Sequence, residues 1–476
     1  MYCVLDYGVV ADGVTLCTAS VQRLVDEVSQ SGGGTIIFPS GNYVLSTVFL
    51  KSNVTIRLEE GAKLLGSLNF YDYAQQEPIG YPIYQDASHT YFDLSMFVGK
   101  HCENIAITGK GIIDMRSIWD EDGVRGTEIR NRGPKCIALR KCKNVTLSDF
   151  GIYNATDLAI YFAGCENVEI YGLSLQVYID GISPDNSKNV KIHGCTIESG
   201  DDGLVFKSSY TLNRLDICKD ISVWNCKIRS RCSAIKFGTE TNGGFENIYI
   251  DNISISDTRI TGIAIESVDG AVIDGITIKN IKMRNVNAPL FIHLGNRMRG
   301  PEGREVGTIQ NILLENITAE GPYTSYHIMP SCYPAYKEAA YRQYPWVFSA
   351  VSHDQKAIET GMNKPWQWSS NICGLREKPL KNITLRNISL KLDGGVTAYE
   401  KEVPDIAPPY PEVNVYGEIL PSKGIYFRYV ESLVMDHVTV KTYRYDARED
   451  FVFEHVTRKD EGRQAVQTAL TDKSVF

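Results

Sequence analysis

The chain has 476 residues, 43% of them apolar and 22% charged, and it carries a formal net charge of −8. The acidic balance, without any run of Lys and Arg, gives no sign of a nucleic-acid partner and reads as solubility. No stretch approaches the roughly 18 apolar residues that a membrane-crossing helix needs, so no membrane partner is expected either.

Met1 to Asp6 lacks the basic segment and apolar run of a secretory leader, so a cytoplasmic address is expected, with a secreted mature form as the alternative. The spacing of Val21, Leu24 and Val25 predicts one helix over Thr18 to Ser31, stopped by Gly32-Gly33-Gly34. After it one phrase recurs: a polar residue, then Asn or Asp, then an alternating apolar strand. It appears at Glu103-Asn104-Ile105, Lys143-Asn144-Val145, Glu166-Asn167-Val168, Lys188-Asn189-Val190 and Lys219-Asp220-Ile221. Further copies stand at Glu246-Asn247-Ile248, Gln310-Asn311-Ile312 and Lys381-Asn382-Ile383, with a degenerate one at Asp274 and a last from Leu433 to Thr442.

In the middle of the chain the copies are 22 to 31 residues apart. Each unit holds two or three Val- and Ile-rich strands of period two, and no helical pattern fills the gaps. Strands that repeat without crossover helices predict the stacked coils of a parallel β-helix. The expected fold is all-β, a single solenoid domain over residues 1–476, with the helix capping the open strand edge. Two segments break the rhythm: a polar and aromatic excursion over Phe70 to Arg132, and a long aromatic-rich insertion over about 318–380. The insertion holds Tyr323, Tyr326, Tyr333, Tyr336, Tyr341, Tyr344, Trp346, Trp366 and Trp368, which form either a packed subdomain or the wall of a sugar cleft. The twelve cysteines are irregularly spaced, none with metal-ligand spacing, and Cys142, Cys165, Cys195 and Cys226 fall in alternating apolar patterns. They read as buried free thiols of a reducing compartment.

The repeat also serves as a ruler. Counting 14 residues from the start of each phrase reaches Asp157, Asp180, Asp202 and Ser233, and one residue more from Glu246 reaches Thr261. Neighbouring coils lie about 4.8 Å apart. The column therefore stacks Asp157, Asp180 and Asp202 with Asp201 alongside, and at least one of these acids should have a raised pKa. Asp157 alone reads as a turn residue. Clustered acids of unequal pKa are what glycoside hydrolysis requires, one to protonate the leaving oxygen and another to activate water or to attack.

On these residues the sequence resembles glycoside hydrolase family 28, the polygalacturonases. Asp180-Gly181-Ile182-Ser183-Pro184 and Gly200-Asp201-Asp202-Gly203-Leu204-Val205-Phe206-Lys207-Ser208 are similar to the family's N-T-D-G and G-D-D-x-x-x-x-K-S signatures. Asp6-Tyr7-Gly8, Ala11-Asp12-Gly13, Gly32 to Pro39 and Phe49 to Thr55 are similar to its opening segment. The resemblance implies a right-handed parallel β-helix, an inverting mechanism and no metal or other cofactor. It also implies Asp201 as general acid, with Asp180 and Asp202 positioning and deprotonating water. Three positions depart from the pattern: Tyr178 replaces the Asn of N-T-D, Ser233 replaces the histidine of G-H-G, and Ala264-Ile265-Glu266 replaces R-I-K. The cations that grip a galacturonate carboxylate are thus missing, and one has become an acid. Other cations offered by the ruler are Lys207 and Lys236, both expected to point outward, and Arg297 in the loop beyond His293; Arg299 and Arg304 read as a solvated edge. Ser233, Glu266 and His293 join them as expected substrate-binding residues.

The expected function is an inverting glycoside hydrolase acting on an oligosaccharide of pectin, galacturonate- or rhamnogalacturonan-type, from a chain end. Two alternatives stand beside it: a β-helical polysaccharide lyase, in which the aspartates would bind calcium, and a non-catalytic carbohydrate-binding β-helix. The sequence does not specify an oligomeric state.

Overall fold

The computed structural model describes residues 1–118, 132–321, 323, 367–405, 411–417 and 419–459. Apart from one isolated antiparallel bridge, Leu375 with Lys378, every strand pairing is parallel, and the strands wind into a right-handed parallel β-helix. Each strand places alternate residues inside the coil. Val145 and Leu147, then Val168 and Ile170, then Val190 and Ile192 stack in register in the core that runs along the solenoid. Helix α1 (Thr18–Gln30) lays Val21, Leu24, Val25 and Val28 over the first coils and closes that end of the core.

The recurring Asn has a structural cause. Asn104, Asn144, Asn167 and Asn189 all hold φ between 52 and 56°, a left-handed turn that Asn tolerates better than other non-glycine residues. Each amide donates to the Asn of the preceding coil, Asn104 to Asn53 (2.8 Å), Asn144 to Asn104 (2.8 Å), Asn167 to Asn144 (2.9 Å) and Asn189 to Asn167 (2.7 Å). The degenerate copy keeps the ladder as well, since Asp274 accepts from Asn311 at 2.7 Å.

One sheet face carries the site. It is built in parallel order from β1 (Ile160–Ala163), β2 (Ile182–Asp185), β3 (Leu204–Ser208), β4 (Ser233–Thr241), β5 (Gly244–Ser267), β6 (Val272–Leu294), β7 (Ser370–Cys373) and β8 (Ser422–Thr442). The aromatic insertion is narrower than the sequence suggests. A strand continues to Glu320, and β7 has already rejoined the stack at Ser370. Of its expected aromatics, Tyr323 and Trp368 are described, and the others lie outside the described residues. The described cysteines are unpaired, and all but Cys3 and Cys232 are buried. Among the described residues no helix is long and apolar enough to cross a membrane.

Candidate functional site

The turns that enter β2 and β3 set the acids. Ile182 pairs with Leu204, so Asp180 and Asp202 occupy equivalent places in consecutive coils. The backbone N–H of Gly181 donates to the Asp202 carbonyl at 3.0 Å, and that of Asp202 donates to the Asp180 carboxylate at 3.2 Å. The coils meet so closely here that a Cβ on Gly200 would lie 2.1 Å from the Tyr178 carbonyl oxygen, which is why glycine precedes the acid pair. Asp201 stands between them in sequence and is more exposed. Its carbonyl accepts from Ser199 Oγ (2.8 Å) and Ser230 Oγ (2.6 Å), which fixes the turn that presents it. Ser233 and Thr261 continue the column, as the strand register requires, and the Ser233 N–H donates to the Asp202 carboxylate at 3.0 Å.

Asp157 leaves the column. Ile160 pairs with Ile182, which puts Leu158 rather than Asp157 beside Asp180. Asp157 is instead buried against Arg132 (3.7 Å) and Lys135 (3.9 Å), a structural ion cluster.

Burial and mutual repulsion give the acids unequal proton affinities. Burial, reinforced by Asp201, pushes Asp180 well above the usual carboxylate range. Burial pushes Asp202 up to about 6 against the opposing pull of Lys236. Of the two buried acids, Asp180 therefore holds its proton the more readily.

The two lysines leave the coil on its outer side, as expected, but they are not solvated. Lys207 is buried, donating to Glu240 (2.9 Å) and to the Gly238 carbonyl (3.3 Å). A bulge between Phe206 and Ser208 shifts the register here, so the ruler's match between Lys207 and Glu266 is lost. Lys236 lies among three carboxylates, Glu412 at 3.3 Å, Asp202 at 3.5 Å and Glu266 at 3.9 Å. Glu266 is fully buried and neither oxygen makes a hydrogen bond among the described residues. The Lys236 contact is long and shared, so burial dominates and the Glu266 carboxyl rises to about 8, neutral at pH 7.

His293 and Arg297 border this cluster but are engaged elsewhere. His293 pairs in register with Glu266, but it is buried, with Nδ1 bonded to the Tyr416 hydroxyl at 3.2 Å and its pKa lowered to about 4 by desolvation. Arg297 is held by both oxygens of Asp269 (2.9 and 2.5 Å) and by the Thr239 carbonyl (2.5 Å), an internal brace. Arg299, expected as a solvated edge, bridges Glu240 (2.7 Å) and Asp86 (3.3 Å).

Sequence reasoning missed the residues that reach the site from off the coil. Asp86 and His89 come from the excursion after Phe70, and Glu412 reaches Lys236 across 176 residues of chain. The strap that carries Glu412 is fastened by Val413, whose carbonyl accepts from Asn371 (2.8 Å) and whose side chain packs on Ala264, Ala288 and Phe291. Arg259 was overlooked too. It is half-buried one coil above Arg231, acts electrostatically on Cys232 beside Asp201 and Asp202, and has no ion-pair partner among the described residues.

The sequence profile of the glycosyl hydrolases family 28 matches residues 29–332. A probable polygalacturonase of Vitis vinifera is 28% identical over 259 residues, 51% of this chain and 52% of that protein. An exo-poly-alpha-D-galacturonosidase of Dickeya chrysanthemi is 25% identical over 298 residues, 52% of this chain and 48% of that protein. The match thus spans about half the length of these curated relatives. The crystal structure of a hyperthermoactive exopolygalacturonase from Thermotoga maritima shares the fold, with a TM-score of 0.64 and 19% identity, covering 91% of each chain. With the profile matched through the whole region that carries Asp180, Asp201 and Asp202, this chain belongs to glycosyl hydrolases family 28.

Proposed function

We propose that the protein is an inverting glycoside hydrolase that trims a pectic oligosaccharide from one end. The observation that carries this reading is the acid cluster itself: two buried, register-matched aspartates of raised pKa with a third, more exposed one between them. Asp201 protonates the departing glycosidic oxygen. Asp180 helps to hold the attacking water and Asp202 takes its proton, and Lys236 favours the ionised form of Asp202 that this step needs. No metal enters these steps.

Action from a chain end is supported by two off-coil segments that come close to the acids, the excursion bearing Asp86 and His89 and the strap bearing Glu412. An acidic sugar is supported by Arg259, whose planar fork suits a carboxylate. Asp201→Asn should cut turnover by roughly a hundred- to ten-thousandfold while leaving the melting temperature near that of the parent protein. Proton NMR of the first anomer released tests the stereochemistry, and net retention would overturn the inverting assignment.

A further inference from the structure

Beside the acids lies a second polar cluster that hydrolysis does not use. Asp86, His89 and Glu240 each bring one carboxylate oxygen or ring nitrogen to within 4.8 Å of the others. His89 is only 3% exposed, yet neither ring nitrogen has a hydrogen-bond partner among the described residues. Its position is fixed, because its carbonyl accepts from the Tyr161 hydroxyl (3.0 Å) and its ring packs edge-on against Tyr161 at 5.5 Å. A buried imidazole with both nitrogens idle is costly, and such groups call for a partner.

Charge decides which partner fits. Glu240 stays ionised despite burial, held well below its usual pKa by Lys207, with Arg299 also contributing. Arg299 bonds both Glu240 and Asp86. A metal ion would enter against Lys207, Arg299 and Arg132, with its acidic ligands already neutralised. Burial, with Lys207 next in effect, keeps His89 neutral, so it offers one donor and one acceptor. A sugar hydroxyl fits this mixed setting, accepting the imidazole N–H while giving its own proton to a carboxylate, or donating that proton to the other ring nitrogen. The buried Ser183 Oγ also lacks a partner among the described residues, and it sits in the sheet row next to Tyr161. The cluster adjoins the catalytic acids: Lys207 acts on Asp180 and Asp202 as well as on Glu240 and His89, and Arg132 acts on Asp180, Asp201 and Asp86.

We propose that Asp86, His89 and Glu240 form a subsite that recognises a hydroxyl group on the terminal sugar of the oligosaccharide, an inference that rests on the hydrolase reading above. The subsite makes the enzyme selective for a hydroxyl pattern at the chain end.

The test uses the whole protein, pectic trisaccharides, and analogues deoxygenated at one position of the terminal sugar. His89→Ala should lower kcat/KM for the parent sugars roughly ten- to hundredfold, and His89→Gln, which keeps a donor and an acceptor, should recover part of it. One deoxygenated analogue should be cleaved at the same rate by the parent protein and by His89→Ala. An equal loss on every analogue would mean that His89 is merely structural, and a change below twofold on all of them would mean that nothing binds there; either overturns the proposal. Zn²⁺ raising the melting temperature of the parent protein but not of His89→Ala would mark a metal site and overturn it too. If the parent protein cleaves nothing on the panel, or if Asp201→Asn keeps its rate, the hydrolase reading falls and takes the subsite with it.

Discussion

At the scale of single residues, the site is governed by how few cations serve many acids. Lys236 is shared by Asp202, Glu266 and Glu412, and it is the main group that favours the charged form of Asp202. Lys236→Met removes that support, so the Asp202 pKa should climb above about 6. The acid limb of the pH–rate profile should move to higher pH by about one unit. An unmoved limb would mean that Asp202 is not the group whose ionisation limits the rate.

Glu266 gives a prediction of opposite character. Its folded pKa of about 8 lies above the ordinary 4.5, so the unfolded chain releases the proton first as pH rises. Stability is therefore lost with increasing pH across the window from 4.5 to 8, by an amount on the order of a few kcal/mol. Glu266→Gln cannot ionise. Its melting temperature relative to the parent protein should rise steadily between pH 5 and pH 8, and a flat difference would show that Glu266 is ionised in the fold.

At the scale of elements, the amide ladder explains why the repeat could be read at all. Its rungs demand Asn or Asp at a left-handed turn, and the strand that follows demands alternating β-branched residues, so each coil leaves a mark in the sequence. Asn167 bonds to the rungs on either side. Asn167→Ala should cost about 1–2 kcal/mol, combining left-handed strain with two exposed hydrogen bonds. Asn167→Gly should cost less because it is free of the strain, and thermal denaturation will rank the two. The same periodicity made Asp180, Asp202, Ser233 and Thr261 legible as a column. It failed at Asp157, where the turn before β1 is one residue out of phase, and beyond Phe206, where a bulge brings Glu240 rather than Glu266 to Lys207. A ruler measures only regular coils.

At the scale of the whole molecule, the site is completed by chain that the repeat does not describe. Tyr81 of the excursion after Phe70 donates to the Thr211 carbonyl at 2.6 Å, and Tyr84 packs against Tyr210. That segment therefore runs alongside several coils and delivers Asp86 to Arg299, a pair 213 residues apart. The Glu412 strap likewise brings a distant acid to the site, Glu412 to Lys236. Docked loops of this kind carry no period, and their partners are set by tertiary contact alone, so nothing in the sequence joined Asp86, His89 or Glu412 to Asp180. If these segments bound the cleft, as proposed, digestion of a long pectic chain should release the smallest product from the first minutes while the viscosity of the solution barely falls. Replacing 411–417 with a short Gly-Ser link removes the wall that Val413 and Glu412 build over Ala264 and Lys236. That variant should release longer fragments earlier and thin the solution faster, with Asp201 still required. Identical product ladders from the two proteins would shift the cause of end-selective cleavage to the excursion that carries His89.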